Sequence, residues 1–131
     1  MVEYHGWITL CDSTVESDES HLAKIAELVQ KEIEQRNAQH RLLGMKVVNA
    51  NYFLYFAGCP NHRSLEVDDT FELIRQIAGM APGSYGLLYV WDDEDSKNEN
   101  AFRVWKLAKG ILSEETDPFL SPCLPTIEDS E

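Results

Sequence analysis

A chain of 131 residues and 15.0 kDa with 23 Asp and Glu against 11 Lys and Arg, a formal net charge of -12, has the length of one domain and no second core. That balance excludes nucleic acid as a partner, because neutralising phosphates takes clustered Lys and Arg, and it favours a basic partner instead. No apolar run reaches the roughly 18 to 20 residues of a membrane span, and Met1-Val2-Glu3-Tyr4-His5-Gly6 lacks the basic start and apolar stretch of a secretion signal, so a cytoplasmic protein is expected.

Tyr4 to Cys11 is rich in aromatic and β-branched residues and reads as a first strand, with Tyr4, Gly6, Ile8 and Leu10 on one side and His5, Trp7, Thr9 and Cys11 on the other. Ser17-Asp18-Glu19 supplies a cap followed by acids. Leu22, Ile25, Ala26, Val29 and Ile33 then recur at helical spacing, which predicts a helix of about five turns ending near Asn37. Leu42–Val48 and Tyr52–Ala57 form a hairpin about Asn49-Ala50-Asn51. Gly58-Cys59-Pro60-Asn61-His62 breaks the pattern, and Asp69 with Glu72 reads as a capping box opening a second helix whose stripe is Phe71, Ile74, Ile77 and Ala78. Pro82-Gly83 stops it. Tyr85–Trp91 and Phe102–Leu107 are two further strands joined by an acidic loop, and Lys109-Gly110 turns the chain into a short strand at Ile111-Leu112. The stretch from 116 to 131 holds three prolines together with Phe119, Leu120, Leu124 and Ile127, and is expected to lie extended on the domain.

This order predicts an α+β fold: an antiparallel sheet of five to six strands with two helices on one face, a βαββαββ, split βαβ or ferredoxin-like arrangement, followed by an extended C-terminal segment within one domain spanning 1–131. With Ile8, Leu10, Leu88 and Val90 turned to the helices, the opposite face is expected to carry His5, Trp7, Tyr85, Leu87, Tyr89, Trp91, Arg103 and Trp105. Such rings either form a second small core under the tail or stay exposed as protein anchors. Single-stranded RNA stacked on the sheet is the reading the charge opposes.

Support for catalysis is lacking. His5, His21, His40 and His62 are scattered, and Cys59 with His62 has the spacing of half a zinc site without the other half. Cys11, Cys59 and Cys123 are odd in number and far apart, as reduced thiols are. Gly83-Ser84-Tyr85-Gly86 is followed by strand rather than helix, unlike a nucleophile elbow. Asp92-Asp93-Glu94-Asp95-Ser96-Lys97-Asn98-Glu99 lacks the central Gly and flanking helices of a calcium loop. No metal and no cofactor is expected.

Four segments, Glu3-Tyr4-His5-Gly6-Trp7-Ile8, Tyr89-Val90-Trp91-Asp92, Phe102-Arg103-Val104-Trp105 and Asp117-Pro118-Phe119-Leu120-Ser121-Pro122-Cys123-Leu124-Pro125-Thr126-Ile127-Glu128-Asp129, together resemble immunity protein family 7 of bacterial polymorphic toxin systems. The resemblance runs over nearly the whole chain and implies a small α+β protein that binds and neutralises a cognate protein toxin domain, often a basic nuclease, and does no chemistry itself. The acidic loops are the expected contacts: Asp92, Asp93, Glu94 and Asp95, then Glu66, Asp68 and Asp69, with Trp91, Arg103 and Trp105 as anchors. A monomer or weak dimer is expected, since an apolar edge strand can stay unpaired. The alternative is an interaction adaptor unrelated to toxins, which would use the same face.

Overall fold

The computed structural model describes residues 1–12, 19–36, 39–62 and 64–129. Among the described residues eight elements follow one another: β1 (Val2–Thr9), α1 (Glu19–Glu34), β2 (Arg41–Val48), β3 (Asn51–Gly58), α2 (Leu65–Met80), β4 (Tyr85–Asp92), β5 (Arg103–Ala108) and β6 (Ile111–Thr116). The sheet order is β2-β3-β1-β4-β5-β6, and every neighbouring pair is antiparallel. The α1 crossover carries the chain two places along the sheet, and the β2–β3 hairpin returns β3 into the gap beside β1. The crossover through α2 places β4 on the other side of β1. A meander then adds β5 and β6 to the ferredoxin-like core.

Cross-strand pairing decides which side chains face the helices. Leu54, Ile8, Gly86 and Leu107 form one row across the sheet, and Phe56, Gly6, Leu88 and Trp105 the next. Tyr4, Ile8, Leu54, Phe56, Leu88 and Leu107 are buried against Ile25, Val29 and Ile33 of α1 and Val67, Phe71, Ile74 and Ile77 of α2. Each such side chain contributes roughly 1.5 to 3 kcal/mol by leaving water, so this layer is the main source of stability. Gly6 keeps the second row open, because a Cβ there would strike the Phe56 ring and the Leu87 carbonyl.

Both expected helical stripes are present, but α2 opens earlier than the capping-box reading places it. Ser64 is the N-cap and its hydroxyl accepts from the Glu66 amide, so Asp69 and Glu72 lie inside the helix. The stronger signal was a Ser before an acidic first turn. The Ser17-Asp18 cap and the Asn37 terminus expected for α1 lie outside the described residues.

A second expectation fails on β5. Trp105 pairs with Leu88 and Arg103 with Val90, so both side chains belong to the helix side of the sheet rather than to the open face. The Trp105 ring meets Phe71 of α2 edge-on, with centroids 4.9 Å apart, and Arg103 lies over Trp105 at 5.2 Å. Phe102-Arg103-Val104-Trp105-Lys106-Leu107 carries apolar residues on both alternations, so a one-residue slip leaves the pattern as plausible as before. It is Phe102 and Val104 that are buried on the open side, Phe102 packing against His5 and Tyr89 with ring separations of 5.7 and 5.8 Å.

Residues 117–129 contain no helix or strand. Asn100 holds them by three backbone contacts: its Nδ2 donates to the Leu124 carbonyl at 2.8 Å, and its Oδ1 accepts from the amides of Cys123 at 3.0 Å and Leu124 at 2.7 Å. Ser121 is buried and bonds Thr126 and the Ile127 amide.

Candidate functional site

Strand register gathers acids that are far apart in sequence. Val2 opposes Asp92, Tyr4 opposes Gly58, and Arg41 opposes Gly58, so the start of β1, the ends of β3 and β4 and the start of β2 share one end of the sheet. The loop from Asp93 leaves from that end. The Tyr4–Glu66 bond places the first turn of α2 there as well.

Within the β4–β5 loop most of the acids already have partners. Asp92 accepts from the Glu94 amide at 2.9 Å, and Asp93 pairs with the amino terminus of Met1 at 2.8 Å. Glu94 reaches His62 at 2.7 Å. Asp95 accepts from the Asn98 side chain and the Lys97 amide, each at 3.1 Å; these bonds, with Arg103 nearby, hold its carboxyl below the ordinary range. The Trp91 indole N–H donates to the Glu99 carbonyl at 2.8 Å, so the base of the loop is closed over a half-buried ring. Asp93 and Glu94 keep about half of their side-chain surface exposed.

The second acidic group frames a cleft of about 660 Å³ lined by Arg36, His40, Arg41, Glu66, Asp68 and Asp69, among others. Asp69 is clamped between two arginines, Oδ1 to Arg36 Nε at 3.0 Å and Oδ2 to Arg41 Nη2 at 2.8 Å. Those two arginine side chains are only 9% and 5% exposed. Glu66 accepts from the buried Tyr4 hydroxyl at 2.7 Å, and burial followed by this bond pushes the Tyr4 phenol up to about 12. Asp68 is exposed. Arg103 makes a two-point contact with Glu114, at 2.7 and 2.8 Å, and this pulls the Glu114 carboxyl down.

Of the ten residues singled out in the sequence, Asp92, Asp93, Glu94, Asp95, Glu66, Asp68 and Asp69 come together at one end of the sheet, with Trp91 under the loop. Arg103 extends a side chain to Asp95 at 3.5 Å, while Trp105 is turned toward α2. This end presents fixed negative charge and backbone groups at the surface. Among the described residues no group of three or more His, Cys, Asp and Glu could hold a metal ion. Nor, among the described residues, is any helix long and apolar enough to cross a membrane.

A family model described as Immunity protein 7 matches residues 1–129. The chain belongs to the immunity protein 7 family. A search of curated proteins and a search of solved structures each give no match. Immunity proteins act against toxins, which places a toxin on the other side of the interaction, and such families are generally non-enzymatic.

Sequence reasoning about this immunity 7 chain missed the groups that fix the acids in place. Nothing in the spacing of Arg36, Arg41 and Asp69 announces that they meet, and Asn100 carried no signal at all. Phe53 and Tyr55 were missed as surface rings because β3 holds aromatic residues on both alternations, Tyr52 and Phe56 as well as Phe53 and Tyr55. Both lie on the open face and are exposed.

Proposed function

We propose that this chain is a stoichiometric inhibitor of a basic, nuclease-type toxin domain, binding it as a folded protein and leaving all covalent chemistry to the toxin. The observation that carries the reading is family membership over 1–129 in a chain at -12 whose acids converge on one end of the sheet. A cleft that binds nucleic acid is positively charged, and an acidic domain steered into it gains association rate by roughly 10 to 1000 fold at low salt. Asp93, Glu94 and Asp68 present charge to the partner. Asp92, Asp95, Glu66 and Asp69 hold the frame that presents it, Trp91 and Arg103 stiffen the loop, and Trp105 locks β5 to α2.

The test is to express the toxin domain encoded beside this chain, purify the two together, and measure nucleic-acid cleavage by the toxin with increasing amounts of the inhibitor. Cleavage should stop at a one-to-one ratio, and cells carrying the toxin should survive only when this chain is also expressed. A neighbouring product that forms no complex with it would remove the reading. A complex with a toxin whose binding surface is acidic would remove the nuclease part of it.

A further inference from the structure

The helices cover one side of the sheet only, and the other side is not closed by the tail. Trp7, Tyr55 and Tyr85 keep 43%, 46% and 50% of their surface exposed, the first and last touching edge-on at 6.1 Å. The tail adds apolar side chains of its own: Phe119 is 71% exposed and Leu124 65%. Leu120 stands over the sheet and, with His5, Trp7, Tyr89 and Phe102, lines a cavity of about 280 Å³. Ordering such a segment costs roughly 1 to 2 kcal/mol of backbone entropy per residue. Here the order comes from Asn100 and Ser121, polar contacts that hold the tail while Phe119 and Leu124 stay in water.

We propose, resting on the toxin-inhibitor reading above, that the basic toxin domain docks across this open face and tail, with one of its apolar side chains seated between Trp7 and Leu120. Charge selects that occupant. From Gly110 to Glu131 the sequence holds six acids and no Lys, Arg or His, so the tail side of the apolar patch is acidic; the lysines of the open face, Lys46 and Lys106, stand on β2 and β5, and Lys106 is paired with Glu115 at 3.4 Å. A second copy on the same face would bring two such segments and two -12 bodies together, which opposes a symmetric dimer. A basic partner meets both features at once, apolar contacts at the centre and ion pairs at the rim, the arrangement in which exposed Trp and Tyr become the residues that dominate affinity.

The experiment compares Trp7→Ala, Leu120→Ser and Leu28→Ser for binding to the adjacent-gene toxin domain. Leu28 is also exposed but lies on α1, on the helix side and outside the acidic cleft, so it serves as the control. The first two should each raise Kd by at least about 10-fold, mainly through faster dissociation, while Leu28→Ser leaves it within about two-fold. Backbone amide exchange of the unmodified complex, which depends on no variant folding, should show protection over β1, β4 and 119–124. If the unmodified chain binds and neither face variant changes Kd nor the face gains protection, the docking site is wrong and the inhibitor reading stands. If the unmodified chain binds no toxin domain, both fall. If sedimentation shows a dimer that Leu120→Ser disperses, the face belongs to a second copy and the proposal is overturned.

Discussion

Asp69 shows how little of this protein's acidity is ordinary surface charge. Its carboxylate is the shared counter-ion of Arg36 and Arg41, two arginines almost out of water. Breaking a buried pair by deleting one partner costs roughly 3 to 5 kcal/mol when the remaining charge is left alone; here Arg36 keeps Glu32 at 2.9 Å, Arg41 keeps the Glu66 carbonyl at 3.3 Å, and Asp69 is 31% exposed, which pulls the value below that range. Asp69→Ala is expected to lower unfolding free energy by about 2 kcal/mol in urea titration. A loss under about 1 kcal/mol would mean the arginines rehydrate easily. Tyr4 makes a companion prediction in pH. Its phenol is raised from an ordinary value near 10 to about 12, by burial and then by its bond to Glu66, so the neutral form is favoured by folding. That contribution is complete below pH ~10, falls between ~10 and 12 as the unfolded chain alone ionises, and is gone above 12. Absorbance at 295 nm should show one phenol ionising near pH 12 that Tyr4→Phe lacks, and the variant's stability should decline less steeply over that window.

At the scale of elements the β2–β3 hairpin illustrates a local cost carried by the fold. Val48 opposes Asn51, leaving a two-residue turn in which Asn49 and Ala50 have φ of 50° and 65°. Such turns match the twist of the flanking strands but put both residues in the left-handed region, which costs an L-residue other than Asn or Gly roughly 1 to 2 kcal/mol. Ala50→Gly relieves the strain at some cost in chain entropy, and should raise the midpoint of thermal unfolding, with a net gain of about 0.5 to 1 kcal/mol. An unchanged or lower midpoint would count against the turn geometry. The Lys109–Gly110 turn between β5 and β6 has the same hand, with φ of 52° and 74°, and already carries glycine at its second position. The phase of β5 was the element-level error, because Arg103/Trp105/Leu107 and Phe102/Val104/Lys106 are both mixed sets and only pairing with β4 separates them.

Across the whole molecule, the excess of acid acts at a distance while most of its members are engaged close by. Ion pairs at Met1–Asp93, Arg103–Asp95 and Arg103–Glu114, with the His62–Glu94 contact, tie the chain start, the loop before α2 and β5–β6 into one end, yet the net charge of -12 remains. Association with a basic toxin domain should therefore slow as salt rises, with kon falling by at least about 10-fold between roughly 10 mM and 1 M while koff changes little, since the Debye length shrinks from about 30 Å to 3 Å. Stopped-flow mixing at several ionic strengths measures this directly. A flat kon would show that apolar contacts alone drive recognition.

Period and punctuation alone determined the element order, the two helical stripes and the antiparallel α+β architecture, because burial of one face imposes a spacing that can be counted along the chain; the family was legible only in the likeness of four particular segments. Charge by itself carries the proposal of a basic partner, since Coulomb attraction at long range depends on totals rather than on positions. Tertiary structure decided what no spacing encodes: that Arg36, Arg41 and Asp69 meet, that Trp105 turns to Phe71 and away from Trp91, and that Asn100 holds the tail with Phe119 and Leu124 facing water. Those are contacts between residues many positions apart, and their partners are chosen by strand register, where a shift of one residue exchanges the two faces of a strand.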